Sequence, residues 1–286
     1  MLAVVGQRDE VLIPSPYWVS YPEMVRIAGG SPVLLPSESG FHLSIENLKR
    51  YVNEKTRLLI LNSPNNPCGG IYSRAEMEAL AKFLEGTDIL VASDEIYSSL
   101  VYDKAEFVSF AALSKDAYRR TITFNGLSKS HAMTGWRVGF AAGEFSIIEA
   151  IGILQAQSAT HITSFVQAAA VVALSPGAFD FSPRLKMMQE RRDLTAQILS
   201  SIPGLKMDIP KGAFYAFPDL SVYSTKLGNS SVALSEYLLS EAGVAVVPGK
   251  PFGDDRCIRI SFAKDLKTLE DGLNRIKRAL EKLALS

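Results

Sequence analysis

The strongest constraint on this chain is an alternation in its first half, where short apolar runs, each closed by polar or turn-forming residues, are separated by helix-like stretches. Residues 11–14, 32–36, 57–62, 89–93, 121–125 and 137–141 read as strands. Strands alternating with helices predict βαβ crossovers and a mostly parallel sheet flanked by helices. Ser73 with Glu76 is a candidate capping box, followed by the apolar stripe Met77, Leu80, Ala81 and Leu84, so a helix is expected between the third and fourth strands. Residues 1–5 look helical and Gly6 breaks them, a start that suits the middle of a βαβ series better than its beginning.

Residues 145–174 read as helical, and a second helix is expected from Ser182 as N-cap, with Pro183 at the first position, to about Ser201. The pattern then changes. Residues 205–209, 213–218, 245–248 and 257–262 read as strands of a smaller α+β unit, residues 223–231 as its most loop-like stretch, and Leu266, Leu269, Leu273, Ile276, Leu280 and Leu283 as one face of a closing helix. The expected division is a large α/β domain over residues 1–180 and a small domain with the interdomain helix over residues 181–286.

Thirty basic and thirty acidic residues cancel without a basic block, so neither nucleic acid nor a membrane surface is an expected partner. No apolar run approaches the roughly 20 residues that span a bilayer. Cys68 and Cys257 stand far apart without a CxxC or Cys/His companion, which argues against a disulfide framework and against a metal site. An intracellular protein acting on small molecules is the expectation. No GxGxxG or GxxxxGKS/T follows any strand, which argues against a nucleotide-binding fold.

Ligands of open parallel sheets bind at the carboxyl ends of the strands, and the chemically capable residues collect there. Lys129 comes just after a strand in Asn125-Gly126-Leu127-Ser128-Lys129-Ser130. Alone it reads as a solvated surface lysine; withdrawn from water beside other cations, it becomes an amine able to form an imine. Asp94 ends the run 89–93 and is either a turn residue or the anion that keeps a pyridinium nitrogen protonated. Tyr97, three residues on, is either packing or a donor to a phenolic oxygen. Arg137, between Trp136 and Val138-Gly139-Phe140, suits a phosphate or a surface ion pair. Asn66, in Asn65-Asn66-Pro67-Cys68-Gly69-Gly70, forms a turn or presents its amide to a ligand. In Cys257-Ile258-Arg259-Ile260-Ser261-Phe262, alternation sets Arg259 opposite Ile258, Ile260 and Phe262, facing either a substrate carboxylate or a structural Asp/Glu.

Taken together, the segments Pro16-Tyr17-Trp18-Val19-Ser20-Tyr21-Pro22, Asn62-Ser63-Pro64-Asn65-Asn66-Pro67-Cys68-Gly69, Ser93-Asp94-Glu95-Ile96-Tyr97, Ser128-Lys129 with Met133-Thr134-Gly135-Trp136-Arg137, and Gly212-Ala213-Phe214-Tyr215 resemble fold-type I pyridoxal-phosphate (PLP) enzymes. The resemblance is to class I aminotransferases of the aspartate aminotransferase type, covers nearly the whole chain, and looks closest to the plant-type aspartate/prephenate branch through Asp255-Arg256-Cys257-Ile258-Arg259-Ile260-Ser261. It implies Lys129 as Schiff-base lysine and proton shuttle, Asp94 at the pyridine nitrogen, Tyr97 and Asn66 at the ring oxygen, Arg137 at the phosphate and Arg259 on the substrate carboxylate. It also implies Trp18 stacked on the cofactor ring, or Tyr17 if the register is one residue off.

The implied reaction is a ping-pong transamination between aspartate or glutamate and oxaloacetate, 2-oxoglutarate or prephenate, carried out by a homodimer, cytoplasmic or in a plastid. Lyases and ring-forming synthases share the fold and most of these residues, and an inactive fragment is the third reading. Two departures stand out. Cys68 occupies the position where the family usually has Thr, and a segment with a glycine-rich, phosphate-holding turn that normally precedes the position of Met1 is not in this sequence, so the chain is expected to be N-terminally truncated.

Overall fold

Apolar runs become strands where both faces can be buried. The computed structural model describes residues 1–36 and 40–285, and in it the first-half runs form β1 (Glu10–Pro14), β2 (Ser31–Leu35), β3 (Thr56–Asn62), β4 (Leu90–Asp94), β5 (Thr121–Gly126) and β6 (Gly139–Ala142). They make one sheet of order β2-β1-β3-β4-β5-β6, parallel throughout except for antiparallel β6. β3 is buried almost end to end, as a strand between two helical layers must be. Leu59 and Leu61 pack on one side against Met77, Leu80 and Leu84 of the helix Arg74–Leu84. Leu58 and Ile60 pack on the other against Tyr21 and Val25 of the helix Ser20–Ile27. The capping box forms as expected, with Ser73 and Glu76 satisfying each other's backbone N–H groups.

The second half forms a three-stranded antiparallel sheet of order β7-β9-β8, from β7 (Tyr215–Ala216), β8 (Val247–Pro248) and β9 (Ile258–Ser261). Ile258, Ile260 and Phe262 pack beneath it against Leu269, Leu273, Ile276, Leu280 and Leu283 of the helix Leu266–Leu285. The alternation read from the sequence is therefore real and turns Arg259 to the opposite face.

Several expectations are corrected. Residues 1–5 form a turn rather than a helix. Residues 145–174 form two helices, Phe145–Ser158 and Ser164–Leu174, because Thr160 takes a left-handed backbone that a helix cannot contain. The helix Ser182–Ser200 begins with Ser182 already inside it, and Asp180 accepts from the Ser182 N–H in place of a serine cap. Residues 205–209 contribute only an isolated bridge, Lys206 to Asp219. β6 starts at Gly139 because Arg137 is left-handed (φ 54°). Part of residues 223–231 is helical, in Ser221–Ser224 and the 3₁₀ turn Thr225–Leu227. Among the described residues no helix is long and apolar enough to cross a membrane.

The two sheets are tied at residues 100–103. Val101 bridges Gly212, Tyr102 N–H donates to Lys211 O, Ala213 N–H donates to Leu100 O, and the Tyr102 hydroxyl donates to Ala213 O. Beside this seam the buried Arg192 guanidinium donates to both oxygens of Asp103, at 2.7 and 2.9 Å, and to Pro210 O. Arg192 is 3% exposed, so its charge depends on those acceptors and on Asp193, which accepts from Nε at 2.6 Å and remains when Asp103 is removed. Arg192→Ala is expected to destabilise the protein by about 3 kcal/mol, since it empties a buried site and leaves the Pro210 carbonyl without its donor, and Asp103→Ala by no more than about 1 kcal/mol, since that carboxylate is mostly solvated. Urea midpoints at constant m-value check this ordering, and equal losses would contradict it.

Candidate active site

Parallel pairing sets the strand ends level with one another. Asn62 at the end of β3 pairs with Asp94 at the end of β4, and Asp94 pairs with Phe124 of β5. The loops leaving these ends carry the candidate residues. Asn62 holds two of them in place, because its Nδ2 donates to Asp94 O and its Oδ1 accepts from Asn66 N–H.

Asp94 Oδ2 accepts from the Tyr21 hydroxyl at 2.6 Å, and Oδ1 accepts from Ile96 N–H. Burial pushes its carboxyl above the ordinary range, against the opposing pull of those two donors and of Lys129. The Tyr21 ring meets Trp18 edge-on at 5.4 Å. Trp18 is 37% exposed, whereas Tyr17 is 6% exposed and packs with Val11 and Ile13 in the core. Of the two aromatic residues, Trp18 is the partly exposed one, and it lies against Tyr21, the ring whose hydroxyl reaches Asp94.

Lys129 lies in the single helical turn Leu127–Ser130 that comes directly after β5. Gly126, just before the turn, lets residues 138 and 139 pass close by: a Cβ there would stand 3.0 Å from Val138 O and from Gly139 Cα. Thr134 Oγ1 donates to Ser128 O and Arg184 to Ser130 O, which fixes the turn from both sides. The Lys129 amine stands 6.0 Å from the centre of the Tyr97 ring and 5.7 Å from that of Phe214. Withdrawal from water lowers its pKa, Arg259 and Arg137 lower it further, and Asp94 opposes them. The surroundings that would turn a surface lysine into a nucleophile are present.

Arg259 is clamped between two rings, its guanidinium 4.6 Å from Tyr215 and 4.9 Å from Phe252. One Nη donates to Asn66 Oδ1 at 2.9 Å, while the buried Nε has no partner. Among the described residues no carboxylate pairs with Arg259. A buried donor left open on a fixed cation fits an incoming carboxylate. Tyr97 is buried, its hydroxyl 3.0 Å from that of Tyr215, and burial raises its pKa well above the ordinary phenol. Arg137 is exposed, donates to Thr134 O, and is near enough for its charge to act on Lys129.

The geometry brings Asp94, Lys129, Tyr97, Asn66 and Arg259 together, with Trp18 and Arg137 at the rim. The donor set fits PLP on the structure's own terms: an amine of lowered basicity, a half-buried carboxylate for a ring nitrogen, and a guanidinium whose buried Nε has no partner. Tyr21, Tyr215 and Phe252 are residues to which the sequence assigned no role. Tyr21 and Tyr215 stood inside recognisable segments, but nothing in their spacing showed that one reaches Asp94 and the other joins Tyr97 to Arg259. Cys68 closes its turn, with its backbone N–H and Sγ both on Asn65 Oδ1 and its thiol pushed by burial up to about 12.

Comparison with known proteins agrees with this geometry. Residues 1–276 match the model of the family "Aminotransferase class I and II". The chain is 44% identical over 286 residues to the probable aspartate/prephenate aminotransferase of Aquifex aeolicus, covering 99% of this chain and 72% of the relative. It is 45% identical over 292 residues to the bifunctional aspartate aminotransferase and glutamate/aspartate-prephenate aminotransferase of Petunia hybrida, covering 98% of this chain and 61% of that protein. The crystal structure of an aromatic aminotransferase from Pyrococcus horikoshii superposes with a TM-score of 0.92 at 40% identity, covering all of this chain and 76% of that one. Enzymes of this class use pyridoxal 5'-phosphate. The chain therefore belongs to the class I and II aminotransferases.

Proposed function

We propose that this aminotransferase moves the amino group of aspartate or glutamate to a 2-oxo acid, with oxaloacetate, 2-oxoglutarate or prephenate as acceptor. The observation that carries the site assignment is the half-buried Lys129 amine, 6.0 Å from the Tyr97 ring and 5.7 Å from that of Phe214, with Asp94 and two arginines near enough for their charges to act on it. The dicarboxylic substrates are supported by the names of the Aquifex and Petunia relatives.

Lys129 would hold the cofactor covalently, Asp94 its ring nitrogen, Asn66 and Tyr97 its ring oxygen, Arg137 its phosphate, and Trp18 its ring face. When bound, the cofactor supplies an aldehyde carbon and a ring that withdraws electrons from the substrate Cα. Arg259 receives the amino acid's carboxylate on its open Nε and a neighbouring Nη, which orients the Cα–H bond. Lys129, in its neutral form, would take the proton from the substrate Cα. Asp94 would face the ring nitrogen, its negative charge supported by Tyr21 and Ile96 N–H. The separate cores beneath the two sheets support a division near residue 180. A homodimer is the proposed assembly, and helices 145–158 and 164–174 carry an exposed apolar set, Phe145, Ile153, Phe165, Val171 and Val172, that a further surface must cover in water.

Reconstitution with PLP should give a visible absorption band in the parent and none in Lys129→Ala. Aspartate should then convert the band to that of the amine form with release of oxaloacetate; a band that persists without oxo-acid release would favour lyase or synthase chemistry instead.

Because its folded pKa is lowered, Lys129 binds protons less readily in the folded state than in the unfolded one, so stability rises with pH from the folded pKa up to the ordinary lysine value. Lys129→Met should accordingly raise the melting temperature of the cofactor-free protein at neutral pH, with the gain fading as the pH rises towards about 10.4 and gone above it. A constant or absent gain would show that the amine is not under strain. Sedimentation at micromolar concentration should show a dimer, and a monomer would overturn the proposed assembly.

A further inference from the structure

Gly212-Ala213-Phe214-Tyr215 has no task in the assignments above, yet Tyr215 touches two of the assigned residues. Its hydroxyl lies 3.0 Å from that of Tyr97, and the Arg259 guanidinium rests 4.6 Å from the centre of its ring. Tyr215 is 7% exposed and belongs to β7, which pairs with the β9 strand that carries Arg259. The bonds of Ala213, two residues before β7, to residues 100 and 102 pin it to the segment that follows β4 of the large sheet. Its position is therefore set by both halves of the molecule.

We propose that Tyr215 is a positioning residue that donates its hydroxyl proton to Tyr97, turning the Tyr97 proton toward the cofactor's ring oxygen, while its ring holds Arg259 in place for the amino acid's carboxylate. The proposal rests on the roles assigned to Tyr97 and Arg259 above. The direction of the bond comes from counting protons. Two hydroxyls that share one hydrogen bond leave one proton for a third group. The ring oxygen is an anion with no proton to give, so Tyr97 must donate to it and accept from Tyr215. A hydroxyl that accepts a hydrogen bond is a stronger donor. Tyr215 thus stabilises the oxyanion through Tyr97, and the proton on the nitrogen linking Lys129 to the cofactor is released more easily.

The test is a pH titration of the visible band in the PLP-loaded parent, Tyr215→Phe, Tyr97→Phe and the double variant, with circular dichroism confirming the fold. Tyr215→Phe keeps the ring and removes only the hydroxyl. Its midpoint should rise by about half a unit to one unit, a roughly three- to tenfold gain in proton affinity, and it should add nothing in the Tyr97→Phe background. A rise of less than about 0.3 unit, or a fall, while Tyr97→Phe moves the midpoint, overturns the proposal. If the parent shows no band, or Tyr97→Phe leaves the midpoint in place, the cofactor assignments themselves fall and the proposal falls with them. The ring's part is read separately: Tyr215→Leu should raise KM for aspartate by about threefold over Tyr215→Phe, and equal values overturn that half.

Discussion

Parallel pairing of β3, β4 and β5 is the constraint on which the site depends. It sets Asn62, Asp94 and Phe124 side by side, so three loops leave the sheet at one level and converge. The same pairing holds Asp94 half-buried at the end of a strand, where an unsupported carboxylate is costly. Tyr21 and Ile96 N–H meet that cost, and Lys129 adds its positive charge. The result is an anion that is available to a ligand because the protein has only partly satisfied it.

The cations are arranged by the opposite logic. Arg259 lies between two rings and bonds one neutral amide, which fixes its direction without neutralising it. Its charge and that of Arg137 both bear on Lys129, so the arginines that would receive negative groups also make the lysine a better nucleophile before any arrive. The seam at residues 100–103 and 211–213 holds the two halves of this arrangement together, and Arg192 braces it from the interior.

Much of this was legible in the chain. The strand and helix periods of the first half, the capping box at Ser73 and the stripe of the last helix were local patterns, and each formed where burial could reward it. Asp94, Lys129 and Asn66 were legible because they stand at or just past strand ends, and a parallel sheet gathers its strand ends along one edge. Arg259 was legible from alternation alone. The short strands of the second half were overestimated, since residues 205–209 have the composition of a strand but only one bridging partner. Arg137 was placed on a strand that a left-handed backbone at that residue forbids.

The sequence by itself determined which residues stand at strand ends and which face of β9 is polar, because periods of 2 and 3.6 are properties of the local backbone. It could not determine contacts between residues far apart along the chain. Tyr21 reaches across 73 positions to Asp94, Tyr97 across 118 to Tyr215, and Asn66 across 193 to Arg259. Those pairings exist only after the sheet has closed and the smaller sheet has docked at its carboxyl edge. Tertiary structure alone therefore decided that Lys129 stands half-buried near two arginines rather than in open solvent, and that difference in surroundings changes its chemistry.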